Sequence, residues 1–185
     1  MAEKSFLNWP FFDQKHRDLA AQLEAWADAN LDDIDHHNAD ESCRRLVLML
    51  GDAGVLTHSA VGGEGHQKLD VRSLCTIRET LARHDGLADF AFAMQGLGTG
   101  AISLFGSERQ KEEWLTKTRQ GQAISAFALT EPHSGSDVAN STMTATRDGD
   151  HFVLKGEKTW ISNGGIADVY TVFARTGEAP GAKGL

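Results

Sequence analysis

The sequence predicts an α+β chain of two domains: an all-α helical bundle over residues 1–123, then an incomplete antiparallel β-barrel over residues 124–185. Up to about residue 120, apolar side chains recur at spacings of three and four, which is the period of a helix. After Gly121 the pattern alternates with period two, β-branched residues become frequent, and turn sequences such as RDGD at 147–150 appear. The second domain has about 60 residues, fewer strands than a barrel normally needs. The sequence ends on EAPGAKGL and looks unfinished.

The composition indicates a folded protein that does not bind nucleic acid. Hydrophobic residues make up 41% of the 185, with nine Phe, four Trp and three Pro, which argues against disorder. The net charge is −8 and the cations are scattered, whereas nucleic-acid binding needs clustered cations. A local site for a small anion remains open.

The cysteines and histidines predict no metal site. Cys43 and Cys75 each fall inside a helical pattern, which favours two buried thiols over a disulfide or a metal pair. His36 and His37 stand in a polar, acidic loop without ligand spacing around them. The N-terminal MAEKSFLNWPFF lacks the apolar core of a signal peptide, so we expect a cytoplasmic protein.

Three helices are expected before residue 87. The first begins near Asp13 and carries an apolar stripe of Phe12, His16, Leu19, Leu23 and Trp26. NADE at 38–41 resembles a capping box for the second, which Gly51 or Gly54 can end. The loop THSAVGGEGHQ is too rich in glycine for helix or strand. Asp70 can cap the third, which stops near Gly86.

The stretch at 87–105 is apolar almost all round. About 20 apolar residues would be enough for a membrane span, but Asp89, Gln95 and three internal glycines favour a buried central helix. Ser107 and Gln110 then form an S-x-x-Q capping box that opens a polar helix.

Two segments of the β region concentrate groups that could hold a ligand. ALTEPHSGSDV at 128–138 combines a proline turn, three hydroxyl side chains and Gly135, and such a turn exposes backbone N–H groups at a strand end. Taken by itself, the segment 128–138 is typical of an ordinary loop. HFVLKG, KTWIS and DVYTVFART are expected to be strands. Trp160 and Ser162 would then share one strand face, which suits either a core tryptophan or a platform for a flat ring.

Together these segments resemble the acyl-CoA dehydrogenase family. FALTEPHSGSDV is similar to the family's T-E-P-x-A-G-S-D turn, and GEKTWISNGG follows at the spacing of its G-x-K-x-W-I-[TS]-N segment. Gly62 and Gly63 resemble a family loop between early helices, and LFGSERQKEEWLTKTRQGQ resembles the helix before the β domain. His133 and Ser134 depart from the family's small residue and alanine.

The resemblance implies FAD as cofactor and a fatty acyl-CoA thioester as substrate. Phe127–Ser136 would hold the flavin and the near end of the substrate, with Thr130 and the backbone of Leu129 at the pyrimidine side. Trp160, followed by Ile161, would lie against the ring system, and Ser162 would approach the hydride-accepting nitrogen. Ser136 would contact both cofactor and acyl-CoA.

The implied reaction is α,β-dehydrogenation to a trans-2-enoyl-CoA, with electrons passing to an electron-transfer flavoprotein. This reaction needs a carboxylate base, which the resemblance places C-terminal to this chain. We therefore assign no catalytic residue here. We expect the 185 residues alone to be inactive and to bind FAD weakly. The resemblance also implies a homodimer or homotetramer. Two alternatives stay open: a flavin-dependent monooxygenase or acyl-CoA oxidase of the same architecture, and a truncated module that only binds.

Overall fold

The computed structural model describes residues 4–63, 68–177 and 179–185. Four helices make up most of the first two thirds: α1 (Gln14–Asn30), α2 (Ala39–Asp52), α3 (Val71–His84) and α4 (Gly86–Phe105). A last helix, α5, is built from Glu108–Gln110, a π-helical turn Lys111–Leu115 and Thr116–Arg119. Short 3-10 turns lie at Ser5–Asn8, Val55–His58, Val138–Asn140 and Gly181–Gly184.

Three of the predicted helix starts are confirmed. Asp13 precedes α1, and its backbone N–H donates to Nδ1 of His16 at 2.9 Å. Asp70 caps α3, since its carboxylate accepts from the N–H of Arg72. At α5 the Ser107 hydroxyl accepts a hydrogen bond from the N–H of Gln110, and the Gln110 side chain accepts one from the N–H of Ser107. These two bonds form the predicted capping box.

Three local predictions are wrong. The side chain of Asn38 makes no capping hydrogen bond to α2, which begins at Ala39. Asn38 takes part in the helix only through its backbone carbonyl, which accepts a helical hydrogen bond. The loop predicted without helix contains part of the turn Val55–His58, which follows the left-handed Gly54, while its residues 64–67 lie outside the described part of the chain. Cys75 is exposed, although Cys43 is buried as expected.

The core lies between the helices, and α4 crosses its centre. Phe92 on α4 is fully buried and α4 packs against α2 and α3, but Leu97, Leu104 and Phe105 are exposed, so the predicted burial of this central helix holds for only part of its surface. Within the described ranges, no helix is long and apolar enough to cross a bilayer. The fully buried apolar side chains of the core include Leu46, Val47, Leu50, Leu56, Ile77, Leu81 and Phe92.

The β region contains two separate pairs of strands. β1 (Ser125–Ala128) pairs in parallel with β4 (Val169–Val172), whereas β2 (Thr144–Asp148) and β3 (His151–Lys155) form an antiparallel hairpin. The hairpin turns at the predicted RDGD sequence, where Gly149 has φ 59°. Antiparallel pairing throughout is therefore wrong, because the long connection from β1 to β4 returns the chain in the same direction. The described strands close no barrel.

KTWIS is not a strand, contrary to prediction. Residues 158–162 are irregular, since Trp160 has φ 56° and Asn163 has φ 60°. A left-handed backbone at a non-glycine residue interrupts the extended geometry that a strand ladder requires. The expected sharing of one strand face by Trp160 and Ser162 consequently fails.

Candidate functional site

The two singled-out segments lie side by side. The N–H of Thr159 donates to the carbonyl of Thr130 at 2.9 Å, and the Asn163 side-chain amide donates to the carbonyl of Ser125 at 3.1 Å. Residue numbers rise along one segment as they fall along the other, so 158–163 runs antiparallel to β1 without forming a ladder. Trp160, adjacent to the first contact, is thereby fixed near the end of β1.

β1 rests directly on α4. The backbone N–H of Ser125 donates to Oε1 of the buried Gln95 at 3.0 Å, and the Ser125 hydroxyl donates to the carbonyl of Met94 at 2.9 Å. Gly98 permits this approach, since a Cβ there would lie 2.5 Å from Oγ of Ser125. On the same helix turn, the Thr171 hydroxyl from β4 donates to the Gly98 carbonyl at 2.7 Å. The helical core therefore sets the position of the strand end.

A buried ion pair joins the proline turn to the tryptophan segment. Nζ of Lys158 donates to Oε1 of Glu131 at 2.9 Å and to the carbonyl of Leu129 at 2.8 Å. The two side chains are only 7% and 4% exposed. The Glu131 carboxylate also accepts from the Thr142 N–H and hydroxyl at 2.6 and 2.8 Å, and from the Met143 N–H at 2.9 Å. All four of these hydrogen bonds to Glu131 stabilise the charged carboxylate.

These contacts determine the charge state of Glu131. Burial acts to raise the pKa of its carboxyl group, but the hydrogen bonds from the Thr142 N–H, Lys158 and the Met143 N–H outweigh burial and lower that pKa to about 2. Glu131 is therefore an ionised structural group at neutral pH. It has no proton-accepting oxygen left free for a substrate.

The predicted cofactor residues fall into two groups. Six lie on the paired segments: Phe127, Leu129, Thr130, Trp160, Ile161 and Ser162. The indole of Trp160 is 90% exposed, which excludes the alternative of a core tryptophan. The hydroxyl of Thr130 has no hydrogen-bond partner among the residues the structure describes. Ser136 lies in the exposed part of the turn, and no contact in the described chain links it to the six.

Sequence reasoning missed the residues that hold this arrangement together. Lys158, Asn163 and Gln95 supply its long-range contacts. Lys158 stands inside the quoted GEKTWISNGG segment, and a lysine two residues before an exposed tryptophan gives no local signal of burial. The substitution of Ser134 for the family's alanine is accommodated, because its hydroxyl is buried and donates to the carbonyl of Asp137 at 2.6 Å.

An apolar groove of about 320 Å³, which no sequence motif indicated, lies on α4 beside Ser59, Val61 and Leu69. Gly96 and Gly100 lie along it, and a Cβ at Gly100 would meet nothing within 4 Å. Within the described chain, Oγ of Ser103 is buried without a hydrogen-bond partner. The other side chains that line the groove include Leu74, Phe92, Leu97 and Leu104.

The chain thus places a proline turn and a tryptophan segment, clamped together at the end of β1, directly after a helical region, and comparison with known proteins shows the family to which this arrangement belongs. Residues 13–122 match the family profile "Acyl-CoA dehydrogenase, N-terminal domain", and residues 126–185 match "Acyl-CoA dehydrogenase, middle domain". The chain belongs to the acyl-CoA dehydrogenase family.

Individual relatives show the same likeness. The chain is 38% identical to the mitochondrial isobutyryl-CoA dehydrogenase of Dictyostelium discoideum, over 76% of this chain and 33% of that protein. It is 41% identical to the mitochondrial very long-chain specific acyl-CoA dehydrogenase of Rattus norvegicus, over 74% of this chain and 21% of that protein. A glutaryl-CoA dehydrogenase of Mycobacterium smegmatis, solved with FADH2, superposes with a TM-score of 0.76 and 35% identity, over 91% and 44% of the two chains. The chain thus spans less than half the length of these relatives.

Proposed function

We propose that this chain belongs to an FAD-dependent acyl-CoA dehydrogenase, which converts an acyl-CoA thioester to the trans-2-enoyl-CoA. The observation that carries the proposal is the clamp between the two segments: Thr159 bonds Thr130, and Lys158 bonds both Leu129 and Glu131. It brings an exposed indole to the same strand end as the Thr130 hydroxyl, for which the described residues provide no hydrogen-bond partner.

The residues present fit FAD. The exposed indole of Trp160 offers a flat surface for a tricyclic ring, as aromatic side chains do for nucleic-acid bases. Thr130, with the backbone of Leu129, supplies polar groups for the pyrimidine edge, and Ser162 supplies a hydroxyl two residues beyond the indole. When bound, FAD accepts the hydride from the substrate β-carbon. Trp160, Thr130 and Ser162 would orient the ring.

The apolar groove on α4 is the proposed site for the acyl chain. Its walls are mostly aliphatic and aromatic, with Ser59, Arg78 and Ser103 as the polar lining residues, as expected for a site that takes hydrocarbon out of water. Gly100 leaves space open in the groove, whereas a Cβ at Gly96 would lie 3.1 Å from Cβ of Ser59. Ser136, exposed on the turn, is available for the CoA side of the thioester.

We place the catalytic base outside these 185 residues. Proton abstraction needs a carboxylate oxygen that can reach the α-carbon and accept a proton. Glu131, the buried carboxylate of the proline turn, is saturated by four donors and has a lowered pKa. It holds the turn and cannot also act as the base.

The electron acceptor proposed is an electron-transfer flavoprotein. We further propose a cytoplasmic homodimer or homotetramer, in which the β region is part of a larger barrel. Cell fractionation and light scattering of the native protein test its location and assembly.

The test of function uses the native protein that carries this chain. We expect the purified protein to contain FAD, to form 2-enoyl-CoA from a saturated acyl-CoA, and to reduce an electron-transfer flavoprotein. Rapid oxygen consumption in place of that reduction would instead identify an oxidase or monooxygenase. Absence of flavin from the native protein would overturn the proposal.

A further inference from the structure

Lys158 makes a contact that charge balance does not require. Its Nζ lies 2.8 Å from the carbonyl oxygen of Leu129 and 2.9 Å from Glu131, and the side chain is 7% exposed. Glu131 already accepts three other hydrogen bonds, from Thr142 and Met143. The Lys158 ammonium group thus donates one hydrogen bond to the Glu131 carboxylate and another to the peptide carbonyl of Leu129.

That peptide joins Leu129 to Thr130. A hydrogen bond from a charged donor to a carbonyl is stronger than a neutral one, and it polarises the amide so that the N–H on the opposite side becomes a better donor. The N–H opposite the Leu129 carbonyl belongs to Thr130. The next carbonyl, that of Thr130, accepts from Thr159 at 2.9 Å, so the peptide is fixed on both sides.

We propose that Lys158 is a positioning residue for the flavin: it orients the Leu129–Thr130 peptide and strengthens its N–H as a donor to the pyrimidine edge. The inference rests on the proposed function. A stronger donor at that edge favours the reduced cofactor, which carries more electron density there. Lys158 therefore raises both FAD affinity and the midpoint potential without touching substrate.

The test separates this role from charge balance. In the native protein, Lys158→Met removes the donor but leaves the buried Glu131 carboxylate without its ion-pair partner. The informative variant is therefore the double change Lys158→Met with Glu131→Gln, which removes both charges. Glu131→Gln alone keeps the Lys158–Leu129 contact and is the matched control. FAD dissociation constants come from titration of the apoprotein, and midpoint potentials from equilibration with a redox dye.

We expect the double variant to bind FAD about tenfold more weakly than Glu131→Gln, the effect of losing one charge-assisted hydrogen bond. Its midpoint potential should be more negative than those of Glu131→Gln and the wild type. Replacing Lys158 by Gln in the Glu131→Gln background keeps a neutral donor and should give intermediate values. A double variant that matches Glu131→Gln in both quantities would show that Lys158 only balances charge. A wild-type protein that binds no FAD would overturn the proposed function itself.

Discussion

Nζ of Lys158 lies 2.9 Å from Oε1 of Glu131, in a buried contact that spans 27 residues of sequence and ties the tryptophan segment to the proline turn. Removing one partner leaves a buried charge without compensation, which typically costs about 3–5 kcal/mol. We expect Lys158→Met to lower the free energy of unfolding by about that amount in urea titrations. Lys15→Met is the control, because its ion pair with Asp70 is largely exposed on the lysine side and contributes at most about 1 kcal/mol. Equal losses in the two variants would contradict the account.

The same carboxylate predicts how stability depends on pH. The pKa of Glu131 falls from 4.5 to about 2 on folding, so its contribution is fully present above pH 4.5 and is lost as pH falls towards 2. The shift corresponds to a contribution on the order of 3 kcal/mol. Unfolding free energies measured from pH 6 to pH 2.5 should fall less steeply in Glu131→Gln than in the wild type. Parallel curves would show that Glu131 titrates normally.

Much of the helical architecture could be predicted, because its signals are local. Capping residues Asp13, Asp70 and Ser107 stand next to the helices they begin, and RDGD forms a hairpin turn. The parallel pairing of β1 with β4 and the Lys158–Glu131 contact join residues far apart in sequence, which no local periodicity reports.

The prediction of KTWIS as a strand was wrong for a related reason. Its alternation is strand-like, but Trp160 and Asn163 adopt left-handed backbone angles. The Asn163 amide reaches the carbonyl of Ser125 from that conformation. Tertiary contacts at the candidate site therefore override the local pattern. The flavin roles of the six paired residues and of Ser136 stay predictions.

Trp160 should matter for the cofactor and not for the fold. Since its indole is 90% exposed, Trp160→Ala should leave the unfolding free energy nearly unchanged. It should weaken FAD binding by about 1–3 kcal/mol, by analogy with base–aromatic stacking. Thr130→Ala should also reduce flavin retention or slow flavin reduction. Trp9, another exposed tryptophan at 57%, provides the matched alanine control. Flavin contents and reduction rates equal to wild type in both site variants would contradict the assignment.

Two glycines on α4 should respond in opposite directions to alanine. A Cβ at Gly98 would lie 2.5 Å from Oγ of Ser125 and 2.8 Å from the N of Ala126, so Gly98→Ala must displace β1 and destabilise the protein. A Cβ at Gly100 meets nothing within 4 Å, and alanine in a helix interior gains about 0.5–1 kcal/mol over glycine. Thermal unfolding of both variants checks this. A stabilised Gly98→Ala would mean that β1 does not rest on α4 as described.

A larger side chain at Gly100 should shorten the acyl groove. Gly100→Leu projects into the open space on its floor, so kcat/KM should fall more for long acyl-CoA substrates than for short ones. Gly100→Ala is the matched control and should leave the chain-length profile nearly unchanged. A uniform fall across all chain lengths in Gly100→Leu would show that the acyl chain lies elsewhere.

We propose above that this chain forms part of the flavin and acyl-CoA site of a dehydrogenase. The most direct test of this proposal is anaerobic mixing of the native protein with saturated acyl-CoAs of graded length, while the flavin absorbance is followed. We expect rapid bleaching of the flavin band by at least one acyl-CoA, with one 2-enoyl-CoA formed per flavin, and slower bleaching in Trp160→Ala. A flavin band that persists with every acyl-CoA tested, or bleaching that Trp160→Ala leaves unchanged, would contradict the proposal.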